Sequence, residues 1–165
     1  SVLIISVVGA LSIPTLTAMN TEIQLSDTTQ KLFSLIQLAR HSALTTQTRV
    51  SLCPLLTSGR CSTNWSQALS VFTDHNGNRQ LDGDDNLLHR IDIPEQVKLT
   101  WQGMGGGNSL HFNRQGITFV SNGTFTLSSD NQAKLLAISR LGKPRVAEPQ
   151  PPIPQQQPNI LPALP

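Results

Sequence analysis

Lys31-Leu32-Phe33-Ser34-Leu35-Ile36-Gln37-Leu38-Ala39-Arg40-His41-Ser42-Ala43-Leu44 is followed, four residues later, by Arg49-Val50-Ser51-Leu52-Cys53. In the first run apolar residues recur at three- and four-residue steps, which is the spacing of one face of a helix. In the second they alternate, which is the spacing of a strand with two unlike faces. The period therefore changes from helix to strand near Thr48, and the fold class that follows is α+β.

Upstream, Leu16, Met19, Ile23 and Leu25 carry the amphipathic pattern back to Pro14. Before Pro14, the run Val2 to Ile13 contains no charge. It is shorter than the ~20 residues that cross a bilayer, and it has no initiator Met or basic leader. With no polar stripe, it reads as the remainder of a membrane helix rather than as a core helix. Pro14, which cannot donate its backbone nitrogen, is expected to kink or interrupt the helix. The expected first unit is residues 1–47, apolar to about 13 and amphipathic thereafter.

Downstream, short strand candidates are Ala68–Thr73, Leu87–Ile91, Val97–Trp101, Ser109–Phe112, Ile117–Val120, Thr124–Leu127 and Lys134–Ser139. Turn signals separate them at Asn76-Gly77, Asp82-Gly83, Gly105-Gly106-Gly107, Asn113 to Gly116 and Asn122-Gly123. Short strands joined by tight turns imply antiparallel meanders, buried on the helix side and wet on the other. The expected β head is residues 48–147. Residues 148–165 hold seven Pro and four Gln, and read as a disordered or polyproline-like tail. A Pro-rich ligand for a grooved partner is the alternative there.

Composition agrees with a head solvated by hydroxyls and amides. Only 13% of the 165 residues are charged, against ~25% in ordinary soluble domains, and Ser, Thr, Gln and Asn fill the gap. A disordered charged regulator, a polytopic membrane protein and a protein that coats nucleic acid in bulk are all excluded by these numbers. The net charge of +2 hides an asymmetry. Residues 74–95 carry six acids against two Arg, and no acid lies between Asp130 and Glu148, where Lys134, Arg140, Lys143 and Arg145 stand.

Cys53 and Cys61 are the only cysteines, and the residues between them include Pro54, Ser58 and Gly59, which favour a turn. A disulfide closing this loop suits an exported, oxidised protein. The spacing is not that of a redox C-x-x-C pair, and two ligands alone do not complete a zinc site. Asp74, Asn76 and Asn78 take the first, third and fifth places of a calcium loop, but Arg79 and Asp85 replace the Gly and Glu that an EF-hand requires. A hairpin turn rich in Asn, Gly and Asp is the simpler reading, so no metal site and no cofactor are expected. His41, His75, His89 and His111 are scattered, and neither a nucleophile–base set nor a P-loop is present. An enzyme is the least supported class. With no Tyr and 4% aromatics, no stacking platform for bases is legible.

The apolar helix start, Pro14, the amphipathic continuation and the β body with a Cys loop together resemble the type IV pilin-like proteins, within them the FimT/GspH group of minor pilins and pseudopilins. Ser34 to Leu44 is similar to the group's L-x-x-A-R-S-E-A helix segment. Arg49-Val50-Ser51-Leu52-Cys53-Pro54 follows, then Trp65, then Leu69-Ser70-Val71-Phe72-Thr73-Asp74-His75-Asn76-Gly77-Asn78, similar to W-x-x-G-W-x-V-F-x-D-x-N-G. The resemblance covers roughly residues 1–146. The group's mature N-terminus, an aromatic followed by Glu, is absent, as is the second Cys pair that some relatives carry.

The resemblance implies a long N-terminal helix packed on an antiparallel β head. It also implies partners among other major and minor pilins, and a single pass through the inner membrane of a Gram-negative bacterium, head in the periplasm, before assembly into an extracellular pilus. In FimT-type members a C-terminal Gly-Arg-x-Arg motif is associated with DNA binding in natural transformation. Gly142-Lys143-Pro144-Arg145 stands at the matching place, with Lys for the first Arg. The implied DNA-binding residues are Lys143 and Arg145, helped by Arg140 and by Lys134 if it faces the same way, with Gly142 permitting the turn. The implied partner is double-stranded DNA, held through its phosphates without base reading. Two rivals are a purely structural tip or priming subunit of a pilus or of a type II secretion pseudopilus, and a calcium-dependent module using Asp74 to Asp85.

Overall fold

The computed structural model describes residues 2–105, 107–130 and 132–147, with side chains described from residue 20 onward. The Pro/Gln-rich segment 148–165 lies outside the described residues. Among the described residues one helix, α1 (Val2–Thr46), precedes eight strands: β1 (Val50–Pro54), β2 (Leu69–Thr73), β3 (Leu87–Ile91), β4 (Lys98–Gly103), β5 (Leu110–Phe112), β6 (Gly123–Ser129), β7 (Gln132–Ile138) and β8 (Pro144–Ala147).

Of the kink or interruption expected at Pro14, the interruption does not occur: the helix runs through it without a break. One lost backbone hydrogen bond is outweighed when helix flanks it on both sides, because propagation is favourable once a helix is nucleated. At 1.5 Å per residue its 45 residues extend about 68 Å. It ends where Gln47 adopts φ 52°, a left-handed residue that turns the chain out of the helix. Among the described residues no helix is long and apolar enough to cross a membrane. Leu25, Leu32, Leu35, Ile36, Ala39 and Ala43 are buried and form the face that packs on the head. Ile23 (63% exposed) and Leu38 (37%) fall off that face, although the apolar pattern includes them.

The strands form two antiparallel sheets, ordered β3-β2-β1-β5 and β4-β6-β7-β8. The first is not a meander. β5 returns to pair with β1, Val50 opposite Phe112, on the side away from β2. Helix contacts reach strands of both sheets, and Val50, Leu52, Leu69, Val71, Leu99, Leu110, Phe125, Leu127, Leu136 and Ile138 fill the core beneath it. Trp65, Trp101 and Phe125 cluster with ring centroids 4.2 to 5.9 Å apart. The Trp65 indole donates to the Gly107 carbonyl at 3.0 Å, and Ser66 Oγ brackets the backbone of Leu99. These contacts tie the segment before β2 to β4. Cys53 and Cys61 are joined by a disulfide, which closes the loop after β1.

Two strand readings change. Ile117–Val120 forms no strand. The Asn113 side chain accepts the N–H groups of Gln115 and Ile117, and Ser121 hydrogen-bonds Thr118 and His111. Such local side-chain bonds compete with a ladder. Conversely, Pro144–Ala147 is a strand. Proline is tolerated at the first position of an edge strand, where a missing donor costs little.

Candidate functional site

β7 and β8 are joined by a hairpin that Ser139 and Lys143 close, with Arg140, Leu141 and Gly142 as its loop. Ser139 donates its N–H to the Lys143 carbonyl at 3.1 Å, and Gly142 donates to the Ser139 carbonyl at 2.8 Å. Gly142 has φ +74°, the left-handed closing residue of a three-residue hairpin loop. It is also hemmed in. A Cβ there would run into the Gly116 carbonyl oxygen and sit 3.0 Å from the Phe112 ring. Gly142 is required both for its dihedral and for its lack of a side chain.

The hairpin is fastened to the rest of the head from below. Thr118 donates its N–H to the Arg140 carbonyl at 3.1 Å and its hydroxyl to the Ser139 carbonyl at 2.9 Å. Arg40, on α1, donates its Nε–H to the Gly116 carbonyl at 3.1 Å. The helix therefore holds the 113–118 loop, and that loop holds the hairpin. All of this lies at the end of the head where α1 stops, because Val50, at the start of the first strand after the helix, is level with Phe112.

Strand register decides which cations gather. Across the second sheet Gln102 pairs with Thr124, Thr124 with Ala137, and Ala137 with Arg145. Arg145 therefore points to the outer face, away from the core residues Phe125, Leu136 and Ile138. Lys143 and Arg145 border a shallow groove over Asn122, Gly123, Thr124 and Ala137, where small side chains leave the cations standing proud. Arg140, Lys143 and Arg145 are exposed. Their side chains make no hydrogen bond or ion pair among the described residues. Lys134 does not join them. It is half-buried, shares the face of Leu136 and Ile138, and pairs with Leu127, so it lies about 10 Å down the strand from Arg145 and on the other side.

Two neighbours were not legible as site residues. Arg114, in the 113–117 loop, is exposed at the same end. Phe119 is 57% exposed with φ 34°, a conformation that is an outlier for a bulky residue. Its place in a run of strand-like composition concealed it.

The acidic loop after β2 reaches the same end but is knitted internally. Asp74 is fully buried. Its carboxyl accepts the Ser51 hydroxyl at 2.8 Å and the Arg79 N–H at 3.4 Å. Asp82 accepts the side-chain amides of Asn76 and Asn78, and Arg49 donates to the Gly77 carbonyl at 3.2 Å. Burial alone raises the Asp85 carboxyl, but the His75 N–H, the His75 ring and the Asp82 N–H outweigh it and hold it below the usual carboxylate range. His111, opposite Ser51 on β5, is pushed down to about 4 by burial, then by the charges of Arg49 and Arg79. Among the described residues no three His, Cys, Asp or Glu side chains come together to hold a metal ion.

No curated protein matches the chain. Solved structures of the same fold include the type IV minor pilin FimU of Pseudomonas aeruginosa, with 17% identity and a TM-score of 0.56 over 78% of this chain and 90% of that one. They also include the minor pseudopilin EpsH from the type 2 secretion system of Vibrio cholerae, with 11% identity and a TM-score of 0.55 over 76% of this chain and 97% of that one. At these identities the likeness establishes the fold, a long helix on an antiparallel β head as in minor pilins and pseudopilins. The family described as type II transport protein GspH matches residues 28–142, which takes in most of the helix face, strands β1 to β7 and the hairpin as far as Gly142, and the chain belongs to that GspH family.

Proposed function

We propose that this chain is a minor pilin that binds extracellular double-stranded DNA through its β7–β8 hairpin, for uptake in natural transformation. The observation that carries the reading is the placement of Arg140, Lys143 and Arg145. Three exposed cations stand on a tightly fixed hairpin at the end of the head remote from the helix start, with no carboxylate partner among the described residues. Cations so placed neutralise phosphates without reading bases. Lys143 keeps the charge of an Arg but not its two-pronged geometry, so each hairpin binds weakly, and several copies in one fibre gain by avidity. A mobility-shift titration at low and moderate salt tests this. The parent is expected to bind duplex DNA with a steep salt dependence, and Lys143→Ala plus Arg145→Ala to lose most of that binding. Equal binding by the double variant would remove the hairpin from the reading.

A second reading is a structural subunit of a pilus or of a type II secretion pseudopilus without DNA binding. It is favoured by the exposed Ile23 and Leu38 on α1 and by the groove between the helix and β3 lined by Leu35, Leu38, His89 and Ile91. These apolar surfaces suit packing against other subunits. In both readings the helix anchors the subunit in the inner membrane before assembly, and other pilins are partners.

A further inference from the structure

We propose that the distal end of the head prefers DNA with exposed bases, a single strand or a frayed duplex end, using Phe119 as a stacking face beside the hairpin cations. The proposal rests on the reading that the hairpin binds DNA, and it deepens that reading by naming the form of DNA. Phe119, 57% exposed, is the one Phe or Trp side chain left outside the core among the described residues; its chain neighbour Val120 (53%) and Leu141 (60%) in the hairpin loop are exposed apolar groups as well. The hydrogen bonds from Thr118 to the carbonyls of Ser139 and Arg140 set Phe119 directly beside the hairpin loop. A phenyl ring left in water on a residue with φ 34° serves no packing purpose in the isolated head.

Charge selects the occupant. No Asp or Glu occurs from residue 96 to 129 or from 131 to 147, so the loops that carry Phe119, Leu141, Arg140 and Lys143 contain cations and no anion. Exposed apolar groups beside the hairpin cations suit a polyanion that also offers flat apolar faces. Unpaired bases offer such faces, and an intact duplex hides them in its stack. The tip also lies at the end where α1 stops, remote from the apolar start of the helix, which sets it away from the bilayer that this start would enter.

The test compares binding of a labelled 30-nucleotide single strand with that of a covalently closed circular duplex, at one low salt concentration, for the parent, Phe119→Asn and Lys143→Ala plus Arg145→Ala. Asn accepts positive φ more readily than Phe, so Phe119→Asn keeps the fold, which its melting curve checks. The parent is expected to bind the single strand more tightly than the circle by at least about five-fold. Phe119→Asn should abolish that preference without changing binding to the circle, and the double variant should weaken both. If the circle is bound and Phe119→Asn changes nothing, the proposal falls while the duplex-binding reading stands. If the single strand is held through Phe119 and the circle is not bound, the proposal stands and the duplex reading falls. If neither DNA binds, both fall. Loss of binding to phosphatidylglycerol vesicles in Phe119→Asn with single-strand binding intact would also overturn it, in favour of a lipid surface.

Discussion

Two loops reach the distal end of the head, and they use their charges in opposite ways. In Asp74 to Asp85 three of the four carboxylates are turned inward or sideways onto nearby donors, Ser51 and Arg79 for Asp74, Asn76 and Asn78 for Asp82, His75 for Asp85, and only Asp84 is left outside. In the β7–β8 hairpin the fastening bonds fall on the backbone carbonyls of Ser139 and Arg140, and the cationic side chains are left outside. The acidic loop therefore carries more charge and offers a partner less of it. Density of charge in a sequence is a poor guide to binding, because donors and acceptors within reach decide how much of it remains available.

That contrast predicts stability effects on one side and binding effects on the other. The largest concerns pH. His111 titrates near 6.5 when unfolded and only at about 4 when folded. Between these values the unfolded chain binds more protons. The stability it contributes is complete above pH 6.5 and falls by about 3 kcal/mol as pH drops to 4. Urea unfolding midpoints measured across that range should decline, and His111→Gln should flatten the decline. Asp85, held low, adds its own loss only as pH falls further, from its unfolded value through its lowered folded one. Next, Asp74→Ala leaves the buried Ser51 hydroxyl and the Arg79 N–H without their acceptor and should cost about 2 kcal/mol, read by denaturant unfolding, with DNA binding unchanged at temperatures where the variant is folded. Gly142→Ala sets a methyl against the Gly116 carbonyl at positive φ and should cost about 1 to 2 kcal/mol. It is the one substitution expected to move both readouts, since the hairpin must shift. The smallest stability effect belongs to Lys143→Ala plus Arg145→Ala, within about 0.5 kcal/mol of the parent. The same variant should flatten the dependence of log affinity on log salt by about 0.9 for each phosphate that is no longer neutralised.

The helix, the period change at Thr48, the loop closed by Cys53 and Cys61, and most strands were legible because each depends on neighbours in sequence. A three- or four-residue apolar step or an alternation is a local property. The misreadings had local causes as well. Pro14 is a strong breaker in isolation, but helix on both sides overrode it. Ile117–Val120 has strand composition, but Asn113, Thr118 and Ser121 offered the backbone nearer partners. The hairpin cations were legible through a resemblance, and Lys134 entered the group only because sequence proximity cannot say which side of a sheet a residue faces.

The sequence by itself determined that a long amphipathic helix precedes a β head poor in charge, and that four cations without an intervening acid lie near its end. Only the tertiary structure decided that β5 returns to β1, and that a one-residue alternation along β7 and β8 sends Arg145 outward and Lys134 to the opposite face. It alone set Phe119, more than twenty residues earlier in the chain, beside Arg140. Side-chain direction in a sheet follows from register, and register is fixed by which strands meet across the fold, a long-range choice made by burial of the common core rather than by any single segment.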